Sequence, residues 1–332
     1  MKSRPRVLVL ASDALVAGFF PPDICKRLEA IATWERFAER EDSQEFRERL
    51  SRADALVTTW QSPYLRTQII RKSPVKAIVH CGGELRARME DEVLDHVMVA
   101  NTPEPMARPV AEMAVALMLA FVRRLGEYDR AMFAGAIPRQ DDAREGETLA
   151  GRRIGVVGFG RIGRALATML APFGATLVAA DPFVDASDAK RAGVELVELD
   201  ELLRSCSIVV LTAALTRETK GMIDRRRLAL LPKDAVLINV ARGALLDLAA
   251  LVVELESGRI SAALDVTDPL EPLPADHRLR RAPNVILTPH VAGGGVETRR
   301  AMGEAAVAEL ERIFRGEKPQ SLVTRAMLER MT

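Results

Sequence analysis

"IGVVGFGRIGRAL", residues 154–166, runs an apolar β-branched stretch into a helical pattern through three glycines, Gly158, Gly160 and Gly163. A strand without polar alternation is covered on both faces, the mark of a parallel sheet. The G-x-G-x-x-G spacing gives the glycines separate tasks: a tight turn, close approach of the backbone to a pyrophosphate, and close packing of helix on strand. The helix start, with Arg161 and Ile162 in its first turn, adds N–H groups and the positive end of the helix dipole. Such a turn alone is a weak signal, because glycines also serve purely structural turns. The next strand, "TLVAAD" (176–181), sharpens it. It ends at Asp181, eighteen residues beyond Gly163, where an acid accepts hydrogen bonds from the adenosine ribose hydroxyls. A carboxylate there repels a 2′-phosphate, and "PFVDASD" after it brings no arginine, so NAD is expected rather than NADP.

Outward from this turn the same alternation covers most of the chain. Further strands are predicted at "SIVVLTA" (207–213), "AVLINVA" (235–241), "ISAALDV" (260–266) and "NVILTPH" (284–290). Before the turn lie "RVLVL" (6–10), "ALVTT" (55–59), "KAIVHC" (76–81) and "VMVAN" (97–101). Strands separated by helices give an α/β fold, and two such runs in 332 residues give two units with parallel sheets. One long helical pattern is read over 103–135, followed by a polar stretch at 136–152. An amphipathic helix over "VETRRAMGEAAVAELERIFRG" (296–316) can carry the chain back to the first unit. The first domain is therefore expected to be discontinuous, 1–104 plus 296–332, around a nucleotide-binding domain at 105–295.

Composition limits the partners. Lys plus Arg number 47 against 46 for Asp plus Glu, so no global field steers the chain onto nucleic acid or an anionic membrane. Cys25, Cys81 and Cys206 are far apart and form no CxxC pair. Neither a disulfide framework nor a metal site is expected; free thiols in the cytoplasm fit better. The basic, then apolar, amino terminus imitates a secretory leader, but Asp13 interrupts it and "RVLVLAS" reads as a strand. "PVAEMAVALMLAFV" falls short of the ~20 residues that span a bilayer and reads as a buried helix.

Three strand ends after the glycine turn carry side chains with chemistry. "LINVARG" puts Arg242 past one strand, "ALDVTDPLEP" opens an acidic loop with Asp265, Asp268 and Glu271, and "ILTPH" ends in His290. Ligands bind outside the carboxyl ends of strands in open parallel sheets, so these residues can converge. Singly, each has a bland reading: an arginine on a surface acid, a structural histidine, a solvated loop. Together, behind a nucleotide turn, they suit hydride transfer to a 2-oxo acid. Histidine, with an unperturbed pKa of ~6.5, can move the hydroxyl proton. A carboxylate on its other nitrogen fixes the tautomer, and an arginine clamps a carboxylate and polarises a carbonyl.

"GFGRIG", "INVARGALLD", "AALDV…EP" and "NVILTPHVAG" resemble the successive motifs of the D-isomer-specific 2-hydroxyacid dehydrogenases, over nearly the whole chain. The resemblance implies two Rossmann-like domains, one flavodoxin-like and one dinucleotide-binding, with an interdomain cleft, and a homodimer. It implies Arg242 as substrate clamp, His290 as acid/base and a glutamate before proline as its partner. Here Leu270 adds a residue, leaving Glu271-Pro272 favoured over Asp268-Pro269. Asp265 resembles the residue that contacts the nicotinamide amide; capping nearby N–H groups is its bland alternative. Val110, in "RPVAE", is expected near the nicotinamide, and Thr212, Ala213, Val240, Ala241 and Gly293 join the expected cofactor contacts.

In the first domain, Gly82 and Gly83 follow a strand and can offer N–H groups to a substrate carboxylate. The family more often has Gly-x-Gly; this chain reads Cys81-Gly82-Gly83-Glu84, with a negative charge beside the anion site. Trp60 walls a pocket or simply packs. The expectation is an NAD-dependent dehydrogenase of a small D-2-hydroxy or 2-oxo acid. The competing class is an NAD(H)-sensing protein like the C-terminal binding protein corepressors, and formate oxidation is less favoured.

Overall fold

The computed structural model describes residues 4–136 and 145–329, so residues 137–144 of the expected polar stretch lie outside the described residues. The chain divides into two compact units, Met1–Met106 with Gly294–Thr332, and Ala107–Gly293. The first unit holds β1 (Arg6–Leu10), β2 (Thr33–Phe37), β3 (Ala55–Thr58), β4 (Ala77–His80) and β5 (Met98–Asn101). They form one parallel sheet in the order β2-β1-β3-β4-β5, a flavodoxin-like arrangement. β3 and β4 are buried throughout, as central strands must be. β2 was not expected from the sequence. "TWERF" mixes exposed and half-buried residues and pairs only with β1, so an edge strand lacks the continuous apolar run. The helix Val296–Phe314 covers one face of this sheet, with Met302, Ala306, Val307 and Leu310 in a core that includes Val7, Val57 and Ala100. Gly303 permits its close approach: a Cβ there would lie 1.7 Å from the Phe19 carbonyl oxygen.

The second unit holds β6 (Arg153–Val157), β7 (Thr176–Ala180), β8 (Val194–Leu196), β9 (Ile208–Leu211), β10 (Val236–Asn239), β11 (Ser261–Leu264) and β12 (Val285–Leu287). All are parallel, in the order β12-β11-β10-β9-β6-β7-β8. The order reverses between β6 and β9, the switch point at which doubly wound sheets bind nucleotides. The unexpected β8 is again a short edge strand.

The single helix read over 103–135 is divided. Ala107–Val122 is followed by Leu125–Phe133, with Arg124 between them in the left-handed region at φ 55°. Gly126 lies just past this break, in the first turn of the second helix, and Arg124 pairs with Glu127 across it. Burial explains the division: the first helix puts Val110, Ala114 and Met118 into the core, whereas the second buries nothing. By length and composition Glu104–Val122 is apolar enough to cross a membrane, but six of its residues belong to this core.

Candidate active site

The glycine turn after β6 has the geometry a dinucleotide needs. Gly158 stands at φ +90°, and a Cβ on it would come within 2.5 Å of Ala213 Cα. A Cβ on Gly163 would meet the Gly158 carbonyl oxygen at 2.7 Å, so this glycine lets the helix Arg161–Leu170 sit on the strand. A Cβ on Gly160 would meet nothing within 4 Å, which leaves the open approach a pyrophosphate requires. That helix also starts without a capping side chain. Thr212 seals the switch point by donating from Oγ1 to the Gly158 carbonyl at 2.5 Å, with Ala213 beside it. Asp181 accepts from the N–H groups of Phe159 at 2.7 Å and Phe183 at 2.9 Å, which ties the acid to the turn.

Three neighbouring strands bring the reactive groups to their carboxyl ends. Past β12, His290 Nδ1 lies 2.9 Å from Glu271 Oε2, and the Thr267 N–H donates to the other carboxylate oxygen at 3.2 Å. Asp268 is exposed and its side chain makes no hydrogen bond among the described residues, so Glu271 is the carboxylate that faces the ring. The extra Leu270 is half-exposed, its carbonyl held by Thr267 Oγ1 at 2.6 Å: the loop absorbs the added residue without moving Glu271 away.

His290 itself is left-handed, at φ 55°, a conformation costing an L-residue about 1–2 kcal/mol. Asp265 holds it there. The His290 N–H donates to the Asp265 carbonyl at 2.8 Å. The Asp265 carboxylate, 1% exposed, accepts from Thr288 Oγ1 at 2.5 Å and from the N–H groups of Val291 at 3.0 Å and Ala292 at 2.9 Å. These oxygens cap their own loop, and through it Asp265 positions His290.

Arg242 follows β10, its carbonyl fixed by Asn239 Nδ2 at 2.9 Å, and its guanidinium donates to the Ala241 carbonyl at 2.7 Å. Gly243 lets the acidic loop close onto it: a Cβ there would fall 2.2 Å from Thr267 C. Val240 and Ala241 are buried beneath, and Gly293 lies half-buried after Ala292. Val110 is in the core of the same unit.

Residues 115–292, more than half of the chain, match the model of the D-isomer specific 2-hydroxyacid dehydrogenase NAD binding domain. A glyoxylate reductase of Thermococcus onnurineus is 35% identical over 308 residues, 90% of each chain. The chain belongs to the D-isomer-specific 2-hydroxyacid dehydrogenase family. It is a nicotinamide-dinucleotide-dependent oxidoreductase of hydroxy and oxo acids. A D-3-phosphoglycerate dehydrogenase of Methanocaldococcus jannaschii is 32% identical over 329 residues, 96% of this chain; the chain spans 59% of that protein's length. In fold it resembles a glyoxylate reductase of Paecilomyes thermophila, with TM-score 0.84, 24% identity, and coverage of 98% of this chain and 100% of that one.

In the dehydrogenase's first unit, the Gly82–Gly83 turn differs from expectation. The Gly82 N–H already donates to the His80 carbonyl at 3.0 Å, so of the pair only the Gly83 N–H has no partner among the described residues. Burial pushes the adjoining Cys81 thiol up to about 12, which makes it inert. Trp60 is 40% exposed and packs edge-on against Phe19, with ring centroids 5.5 Å apart. Sequence reasoning missed Gly243, Thr288 and His80. A glycine after Arg242 was visible, but the loop it admits was not, and Thr288 gains meaning only through Asp265. One surface cavity is no guide to the chemistry. It lies at the opposite end of the dehydrogenase's sheet, against Val236, Ser261 and Val285.

Proposed function

We propose that the enzyme reduces a small 2-oxo acid to a D-2-hydroxy acid with NADH, or runs the reverse, with His290 as acid/base. The observation that carries this is the 2.9 Å contact of Glu271 with His290 Nδ1, which leaves Nε2 to exchange a proton with substrate. The nicotinamide, when bound, gives or takes the hydride. Glu271 orients the imidazole and stabilises its charged form; Asp265 fixes the backbone that carries it. Arg242 turns its guanidinium to the substrate's carboxylate and carbonyl, favouring the negative charge that develops on the oxygen. In the first unit, the Gly83 N–H is a candidate donor to a substrate anion. Gly158, Gly160 and Gly163 hold the pyrophosphate, with Arg161 and Ile162 at the helix start. Asp181 takes the ribose hydroxyls and repels a 2′-phosphate, which supports NAD over NADP. Val110, Thr212, Ala213, Val240, Ala241 and Gly293 line the cofactor. A homodimer working in a reducing cytoplasm belongs to the same reading, and the three free thiols support that compartment.

The test is a panel of glyoxylate, hydroxypyruvate, pyruvate and bulkier 2-oxo acids with NADH and NADPH. Oxidation of NADH by at least one small 2-oxo acid, with NADPH poorer, is expected. Tight NADH binding without turnover on any of them would replace the reading with a dinucleotide sensor.

A further inference from the structure

The amino-terminal unit has its own histidine at a strand end, and the mechanism above makes no use of it. His80 closes β4 and is 2% exposed. Its Nδ1 lies 2.9 Å from Oγ1 of Thr58, the paired residue on β3. The Thr58 hydroxyl is fully buried and has no other partner among the described residues, so its proton goes to Nδ1. Nδ1 is then the acceptor, and the ring carries its own proton on Nε2. Burial, with the positive Arg88 nearby, holds the imidazole down to about 3, so it stays neutral at working pH.

The Nε2–H has no acceptor among the described residues. It stands where a side chain on Gly82 would be: a Cβ built there would lie 2.4 Å from Nε2. Gly82 is not in the left-handed region, so the ring, and not the backbone, demands glycine. The residue is 2% exposed, and its Nε2 end faces the bare Gly82 side of the turn. The Nε2–H of a buried side chain therefore lies at the Gly82 face of the turn, one residue before Gly83, whose N–H has no partner among the described residues. Arg88, donating to the Trp60 carbonyl at 2.9 Å, adds positive potential that opposes Glu84.

We propose that His80 Nε2–H donates to the substrate's carboxylate beside the Gly83 N–H, replacing the backbone donor that the Cys81-Gly82-Gly83 turn lacks. The proposal rests on the 2-oxo acid reading above. His80 is thereby a neutral binding group, with Thr58 as the residue that sets its tautomer.

Asparagine and glutamine separate the two ring nitrogens. His80→Asn can keep the Thr58 contact but loses the distal donor; His80→Gln can keep a distal N–H and loses Thr58. With NADH and the 2-oxo acid that the wild type reduces best, His80→Asn is expected to raise KM on the order of 10–100-fold, the worth of one hydrogen bond to a charged group. Its affinity for NADH and its melting midpoint should stay near wild type, and His80→Gln should restore much of the KM. An unchanged KM, or loss of stability in His80→Asn with no change in KM, would reduce His80 to a structural residue. A second readout does not need turnover. Nitrogen-15 spectra of the NADH-bound protein should show His80 protonated at Nε2 at neutral pH, with that nitrogen shifting when oxalate is added. Protonation at Nδ1, or no response to oxalate, would overturn the proposal. Failure of the wild type to reduce any 2-oxo acid would instead overturn the function reading, while the oxalate response still decides the role of His80.

Discussion

Two histidines stand at the carboxyl ends of parallel strands, His80 after β4 and His290 past β12, and their surroundings are opposites. The His290 side chain is 47% exposed and its Nδ1 meets a carboxylate; His80 is 2% exposed and its Nδ1 meets a hydroxyl. A carboxylate partner stabilises imidazolium, so His290 can cycle a proton. A hydroxyl in a dry interior offers no such support, and His80 remains a fixed neutral donor. The fold supplies the same address twice; the partner on Nδ1 decides whether the ring does acid–base work or only binds.

The largest expected effect breaks this contrast at the working histidine. His290→Gln removes the proton donor and should lower kcat for 2-oxo acid reduction by about 10²–10⁴-fold, with the NADH dissociation constant little changed in a fluorescence titration. Simultaneous loss of cofactor binding would show that His290 is structural. Next, Arg242→Gln should lower kcat/KM about 10–100-fold, as expected for removing a charge-assisted hydrogen bond to substrate. A deficit confined to the melting temperature would count against the clamp.

The smallest effect sharpens the contrast at the other histidine, through stability. The folded pKa of His80 lies at about 3, below its ordinary 6.5, so the unfolded chain binds a proton that the folded chain refuses. Above pH ~6.5 this costs nothing, and the penalty grows as pH falls from there towards the folded value. Between pH 7.5 and 5.5 it amounts to about 1.4 kcal/mol, a tenfold change in the folded-to-unfolded ratio. Urea unfolding at both pH values should show that much less pH dependence in His80→Asn than in the wild type. Equal slopes would mean that His80 is not buried and neutral.

Much of this was legible in the sequence for a physical reason. Central parallel strands must be apolar throughout, so "RVLVL", "RIGVVG" and "SIVVLTA" announce themselves. β2 and β8, exposed on an edge, do not. Gly126 is a weak sign of the break at Arg124, because a lone glycine is tolerated within a helix, and the division depended on which part found a core to cover. Within the site, residue types gave the roles and left their partners open. Glu271 and Asp268 differ by three positions in one loop, and only the bond to Thr267 shows how Leu270 is taken up. The caps made by Asp265 were only one of two readings in the sequence, because a strand-end acid looks alike whether it faces a cofactor or its own loop. His80 passed unnoticed as part of an apolar strand, since neither Thr58 nor the bare face of Gly82 is near it in a way the sequence displays.

The central claim is that Glu271 acts through His290, and a double-mutant cycle tests it most directly. Single-turnover rates of NADH oxidation would be compared for the wild type, His290→Gln, Glu271→Gln and the double variant. Residues working as one unit give non-additive losses, so the double variant should be no slower than His290→Gln alone. Losses that multiply would mean that Glu271 contributes independently of the imidazole, and the dyad would have to be abandoned.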